Sequence, residues 1–124
     1  MQTEEMMEKN KAELIGGSIV KAYSGAPIAP VRTQLSGVDD AYEVQRWTVN
    51  HWLSQGRTIA GRKIGLTSKA VQQQLGVDEP DFGAIFSDMI VQSGSVITGP
   101  SVLQPRVEAE IAFVLAQDLS LIHI

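Results

Sequence analysis

The sequence predicts an α+β domain in which helices come first and strands follow. Up to Gly56 the apolar residues recur at helical spacings; beyond it they alternate or fall in short runs bounded by glycine, proline and acidic residues. Helical segments followed by strand segments, without regular βα alternation, point to α+β architecture. No internal repeat or low-complexity stretch interrupts that order, and 124 residues suit one domain.

Taken in order, Thr3 to Tyr23 reads as a helix, with Thr3 as N-cap and Glu4 and Glu5 in the first turn. Ile15, Ile19, Ala22 and Tyr23 form its stripe, and Gly16 and Gly17 weaken its middle by about 1 kcal/mol each against alanine. Ala26 to Gly37, with Pro27 and Pro30, reads as an irregular connection. A second helix is expected with Asp40 as cap and Glu43 completing a capping box. Its inner stripe is Ala41, Val44, Thr48 and Trp52, widened by Trp47 and Leu53, and Gly56 ends it. Thr58 to Leu66 has strand character. Ser68 caps a short helix that Gly76 closes, and Asp78 to Gly83 forms a loop around Pro80. Ala84 to Val91, Ser95 to Thr98 and, most strongly, Arg106 to Leu115 are the remaining strands.

Composition narrows the function classes. The formal charge of -4, with no basic run, argues against a nucleic-acid partner. The absence of cysteine excludes disulfides and thiolate metal sites. An acidic start without an apolar core is no signal peptide, and the longest strongly apolar run, Ile111 to Ala116, cannot span a bilayer. The expectation is a cytoplasmic protein with neither membrane nor nucleic-acid partner.

Three places carry residues suited to chemistry. Alternation along Gly61-Arg62-Lys63-Ile64-Gly65-Leu66 sets Lys63 between two glycines on one face, with Ile64 and Leu66 pointing inward. Glycine inside a strand marks close approach of a ligand or backbone, although a solvated lysine on an edge strand shows the same pattern. In Arg106 to Leu115 the odd positions make a continuous apolar face and the even ones carry Arg106, Glu108 and Glu110. The two glutamates then lie about 7 Å apart along the strand. Two carboxylates so placed suit a hard divalent cation that keeps waters for a substrate to displace. An amphipathic strand facing solvent, with Arg106 pairing Glu108, accounts for the pattern equally. Asp81 belongs to an acidic loop that is either a solvated turn or catalytic machinery. His51 has no partner at metal spacing and reads as a surface or half-buried residue. His123 falls on the apolar face of the last strand if that strand continues, which disfavours it as a ligand.

Ile28-Ala29-Pro30-Val31-Arg32, Asp39-Asp40-Ala41-Tyr42-Glu43-Val44-Gln45, Gly61-Arg62-Lys63-Ile64-Gly65-Leu66-Thr67-Ser68, Glu79-Pro80-Asp81-Phe82-Gly83 and Gln104-Pro105-Arg106-Val107-Glu108-Ala109-Glu110 follow one another in this order. Together they resemble the 2-keto-4-pentenoate hydratase family of the fumarylacetoacetate hydrolase superfamily, from about Ala26 to Leu119. The resemblance implies a mixed β roll with peripheral helices, in a homo-oligomer. It implies hydration of 2-hydroxypenta-2,4-dienoate to 4-hydroxy-2-oxopentanoate during catabolism of aromatic compounds. Relatives that hydrate longer diacid dienoates or decarboxylate 4-oxalocrotonate make a 2-oxo acid decarboxylase the alternative. By position, Glu108 and Glu110 match two ligands of a Mg²⁺ or Mn²⁺ ion, Lys63 the active-site lysine, and Asp81 an acid near the substrate. Family members continue for about as long again and carry a third carboxylate ligand there. Residues 1–118 are therefore expected to be the N-terminal part of a hydratase domain, and 119–124 a tail outside the family pattern. A chain of that extent is expected to be inactive alone, or a non-catalytic fragment that associates with a full-length partner.

Overall fold

The computed structural model describes residues 2–99, 102 and 105–117. Three α-helices and a two-stranded antiparallel sheet follow one another as α1 (Gln2–Ala22), α2 (Val38–Ser54), β1 (Ile59–Gly65), α3 (Lys69–Leu75) and β2 (Asp81–Phe86). Short 3-10 turns occupy Arg32–Gln34 and Ser87–Met89. The α+β class expected from the sequence is the one observed.

α1 and α2 pack side by side. Ala12 and Ile15 of α1 and Val44 of α2 form the buried centre, ringed by Ile19, Val31, Leu35 and Trp47. α1 runs through Gly16 and Gly17 despite their poor propensity, because tertiary packing decides the matter. A side chain at Gly16 would drive its Cβ into the Trp47 ring, so the glycine is where that indole lies flat on α1. On α2, Val44, Thr48 and Trp52 are buried as the helical spacing predicts, whereas Ala41 is exposed. Thr48 disposes of its hydroxyl by donating to Val44 O at 2.8 Å, so the buried stripe leaves no polar group unpaired.

The start of α2 differs from expectation. Gly37 is the N-cap and makes no side-chain cap bond; Asp40 lies one turn in. Its carboxylate reaches back to accept the Ser36 N–H at 2.8 Å and also binds Lys11 of α1 at 2.5 Å. Glu43 pairs with Arg46 instead. A carboxylate here satisfies a free N–H at the positive end of the helix and ties the two helices together, which outweighs local capping. The C-terminus is as expected: Gly56 at φ 85° is left-handed, Gly56 N–H donates to Leu53 O and Arg57 N–H to Trp52 O. Gly76, at φ 71°, ends α3 in the same manner.

The strands require larger corrections. Asp81, Phe82 and Gly83, expected in a loop, open β2, and Phe86 ends it. β1 supplies the reason, since its ladder pairs Gly65 with Asp81, Ile64 with Phe82 and Lys63 with Gly83. Ser95–Thr98 and Arg106–Leu115 form no strand among the described residues. Alternation defines two faces, but a strand exists only when a neighbour supplies the other half of its hydrogen bonds, and among the described residues no third strand joins β1 and β2. The apolar face of 106–115 is accordingly open, with Val107 98% and Ile111 85% exposed. Ile64, expected to point inward, is also exposed at 52%. The expectations for residues 119–124, His123 among them, lie outside the described residues.

The hairpin meets the helices through an aromatic contact at the Phe86 end of β2. Phe86 is fully buried and meets Trp52 edge-on, ring centroids 5.3 Å apart. The Arg57 guanidinium lies over both rings, 4.5 Å from the Trp52 centroid and 4.4 Å from that of Phe86. Its outer edge grips Asp88 through two bonds of 2.7 Å, which hold that carboxyl below its ordinary range. No helix of the described residues is long and apolar enough to cross a membrane.

Two adjacent glycines should respond oppositely to alanine. Gly16→Ala must push the Trp47 ring aside and should cost about 1–3 kcal/mol. At Gly17 the new methyl meets nothing closer than 4.0 Å, so alanine should gain up to about 1 kcal/mol of helix propensity. Chemical denaturation of both variants decides it; equal effects would contradict the packing described.

The Lys11–Asp40 link gives a pH dependence of known sign. Hydrogen bonds from Lys11 and then from the Ser36 N–H bring the Asp40 carboxyl down from its ordinary 3.8 to about 2. A carboxyl lowered by folding contributes stability that is present in full above its ordinary value and is lost as pH falls through the folded one. Between pH 3.8 and about 2 the unfolding midpoint should therefore fall. Asp40→Asn should start lower at neutral pH and fall less over that interval; superimposable profiles for the two proteins would refute the assignment.

Candidate active site

Lys63 stands in the middle of β1, opposite Gly83. In a two-stranded antiparallel ribbon, Gly61, Lys63 and Gly65 share a face with their partners Ile85, Gly83 and Asp81. The opposite face carries Arg62, Ile64, Phe82, Ala84 and the anchoring Phe86. One face thus attaches the ribbon to the helices and the other carries the lysine. A Cβ at Gly61 or Gly83 would meet nothing within 4 Å, so the space beside the Lys63 stem is open. The two-glycine pattern is explained differently on its other side. A Cβ at Gly65 would collide with the carboxylate of Asp81, which lies directly across that position.

The acidic pair comes from the far end of the described chain. Lys63 Nζ lies 3.8 Å from Glu108 Oε2 and 3.9 Å from Glu110 Oε1. The expectation that Glu108 and Glu110 share a side therefore holds even though the segment is no strand. Both pairs are exposed, with Lys63 at 53% and the glutamates at 69% and 64%, so each contributes well under 1 kcal/mol. Arg106 makes no ion pair with Glu108 among the described residues. Asp81 stays apart from the trio: it sits one cross-strand pair along on the same face and makes no ion pair with Lys63. His51 stacks on Trp47 at 5.0 Å and bonds Gln55, as a surface residue would.

Three carboxylates and one ammonium are thus distributed over one open face. No group of three or more His, Asp or Glu side chains that could hold a metal occurs among the described residues. What is present fits a hard cation in donor type: two carboxylates two residues apart, already converging on one positive charge. Mg²⁺ and its analogues are commonly bound by one or two carboxylates, with waters and substrate oxygens as the other ligands. An open concavity of about 330 Å³ elsewhere, lined by Asn10, Lys11, Leu14, Ile15 and Gln34, contains none of these residues.

Two residues of the site's surroundings were not legible in the sequence. Tyr42 Oη accepts the Phe82 N–H at 3.2 Å, and Gln45 Nε2 donates to Phe82 O at 2.8 Å. Both come from α2, and side-chain bonds to a main chain so distant leave no periodicity to detect.

The sequence of this chain has known relatives. No family model matches the chain. Individual proteins do: it is 52% identical over 98 residues to 2-keto-4-pentenoate hydratase 2 of Dechloromonas aromatica, covering 77% of this chain and 37% of that protein. It is 42% identical over 118 residues to a 2-keto-4-pentenoate hydratase of Paraburkholderia phymatum, covering 93% of this chain and 45% of the relative. It is also 49% identical over 82 residues to 2-oxo-hept-4-ene-1,7-dioate hydratase of Escherichia coli, covering 66% and 31%. These relatives are hydratases by name. Along the shared stretch the chain is similar to curated 2-keto-4-pentenoate hydratases, and it spans little more than a third of the length of the first of these relatives.

The two glycines beside Lys63 should be separable by mutation. Gly65→Ala must displace the Asp81 carboxylate or part the strands, at a cost of about 1–3 kcal/mol. Gly61→Ala enters open space and should stay within about 0.5 kcal/mol of the parent. Denaturation midpoints, with the Asp81 side-chain signal followed by NMR, make the comparison; an unmoved Asp81 in Gly65→Ala would refute the close approach.

Proposed function

We propose that this chain is the N-terminal part, residues 1–118, of a metal-dependent hydratase that converts 2-hydroxypenta-2,4-dienoate to 4-hydroxy-2-oxopentanoate in aromatic-compound catabolism. The observation that carries the reading is the convergence of Glu108 and Glu110 on Lys63, at 3.8 and 3.9 Å. The names of the relatives support the substrate class, a short unsaturated 2-oxo acid or its enol. On this reading the helices and the β1–β2 ribbon are part of the mixed β roll of the fumarylacetoacetate hydrolase-like fold, in a cytoplasmic homo-oligomer, and 119–124 is a tail outside the domain.

Glu108 and Glu110 would hold the Mg²⁺ or Mn²⁺ ion, which when bound supplies a Lewis acid and a template for the substrate's carboxylate and C2 oxygen. The chain's own groups do the rest. Lys63, with open space on the Gly61 side, brings a mobile positive charge to the C2 oxygen, where negative charge grows as the dienol becomes a ketone. Protonation at C5 leaves the C3–C4 double bond conjugated to the ketone, and water adds at C4. Asp81, across from Gly65 on the same face, is placed to pass a proton in one of these steps. Its exposure leaves it in contact with water.

The test is turnover in a polypeptide of full hydratase length that carries this segment. Glu108→Gln and Glu110→Gln should each abolish most metal-dependent hydration, by about 10²-fold or more. Lys63→Ala should lower kcat at least as far while the unfolding midpoint stays near the parent's, since the lysine is 53% exposed and its ion pairs are weak. Wild-type turnover and metal affinity in both glutamine variants would remove the site assignment. An unfolded Lys63→Ala would remove the catalytic role of the lysine.

A further inference from the structure

Asp81 is exposed, and its own contacts do not hold it: among the described residues its carboxylate makes no ion pair or side-chain hydrogen bond. Its position is set by the main chain of the next residue. An antiparallel strand residue directs its N–H and C=O to the same side. At Phe82 these groups turn to α2, where Tyr42 Oη accepts the N–H at 3.2 Å and Gln45 Nε2 donates to the C=O at 2.8 Å. The two side chains occupy the outer edge of β2 as a neighbouring strand would. They sit three residues apart on the helix, so one face of α2 presents an acceptor and a donor to the two main-chain groups of one residue.

The Phe82 side chain does not explain the attachment. It is 51% exposed and is paired across the ribbon with an equally exposed Ile64. What the two bonds fix is the first turn of chain after Pro80, and hence the register in which Asp81 lies across Gly65. That register matters because the Asp81 carboxylate occupies the place a Gly65 side chain would take. A slip of one residue would turn Asp81 to the opposite face, away from Lys63.

We infer that Tyr42 and Gln45 are positioning residues: through the Phe82 peptide they hold Asp81 on the Lys63 face of the ribbon, in place for proton transfer to the substrate. This rests on the hydratase reading for the role of Asp81, but not for the placement itself. Neither residue touches the candidate site. Their effect passes through main-chain bonds, so the number of donors at position 45 counts for more than the shape of the side chain.

That distinction can be measured in a polypeptide of hydratase length. Gln45→Glu is nearly isosteric but has no donor at neutral pH. Gln45→Arg is larger, keeps N–H donors long enough to reach Phe82 O, and has solvent to extend into. Tyr42→Phe removes only the acceptor of the Phe82 N–H. Gln45→Glu and Tyr42→Phe should each speed amide exchange at Phe82 by about tenfold or more. They should lower kcat by about tenfold with KM little changed, whereas Gln45→Arg keeps parental exchange and kcat. A packing role predicts the reverse order, with Glu tolerated and Arg harmful, and that order overturns the inference. If no polypeptide hydrates the dienoate, the parent included, the hydratase reading fails and exchange alone decides. Protection at Phe82 in the parent and Gln45→Arg, lost in the other two, upholds the placement; equal protection in all four overturns it.

Discussion

The contact between Trp52 and Phe86, with the Arg57 guanidinium laid across both rings, is the interaction on which the rest of this structure depends. Without it the two-stranded ribbon would lose its apolar hold on the helical pair and keep the side-chain bonds from α2 to Phe82, and a lone hairpin is marginal in water. Burying an aromatic side chain is worth about 1.5–3 kcal/mol, with edge-to-face geometry and the cation adding to it. Phe86 is the one fully buried large side chain among the described residues, which shows where the ribbon's stability comes from. Asp88 completes the clamp by taking the outer edge of Arg57, so the cation is held between two aromatic faces and a carboxylate. The Thr58–Ser87 bonds close the same end of the ribbon.

Anchoring at that end has a consequence for the face that carries Lys63. Because Phe86 must point to α2, alternation sends Phe82, Ala84, Arg62 and Ile64 the same way and puts Lys63, Asp81 and the glycines on the other side. The lysine face is left uncovered because the packing is done elsewhere. The far end of the ribbon, where Asp81 lies, has no aromatic anchor. Its attachments are the two side-chain bonds to Phe82 and, beyond Gly65, the buried Gln72, which donates to Leu66 O at 2.6 Å. Leu66 has a left-handed φ of 55°, so a buried amide steadies a strained turn just after the strand.

The parts of this arrangement that could be read from the sequence are those governed by short-range periodicity. Val44, Thr48 and Trp52 recur at helical spacing and are buried; Gly56 and Gly76 follow helices and take left-handed conformations. Lys63 between glycines, and Glu108 and Glu110 on one side, followed from the two-residue period alone. What could not be read depends on partners far away in the chain. Asp40 looked like a cap for its own helix, but it binds Lys11, and only the packing of α1 on α2 reveals that. Asp78 to Gly83 looked like a loop because proline and acids dominate it, yet β1 and α2 both offer Asp81 to Gly83 hydrogen bonds. Arg106 to Leu115 erred in the opposite sense: its alternation is the cleanest in the chain, but alternation states which face is apolar and supplies no neighbour.

The weakness of the Lys63 pairs is itself informative. At about 4 Å in water two unit charges attract by only about 1 kcal/mol, and exposed side chains give up much of that in lost freedom. Two such pairs cannot hold a main-chain segment in place, so Glu108 and Glu110 are gathered near the lysine without being locked to it. A structural ion pair would be fixed by direct hydrogen bonds, as the Asp88 carboxylate is by the two 2.7 Å bonds from Arg57. A group that must exchange one partner for another needs the contrary: carboxylates and an ammonium close enough to meet and loosely enough held to part. The helices and the Trp52–Phe86 junction supply rigidity, and the opposite face carries charged side chains that are loosely held. Firm packing and loose ion pairs are thus divided between the two faces of one short ribbon, and the same alternation of side chains produces both.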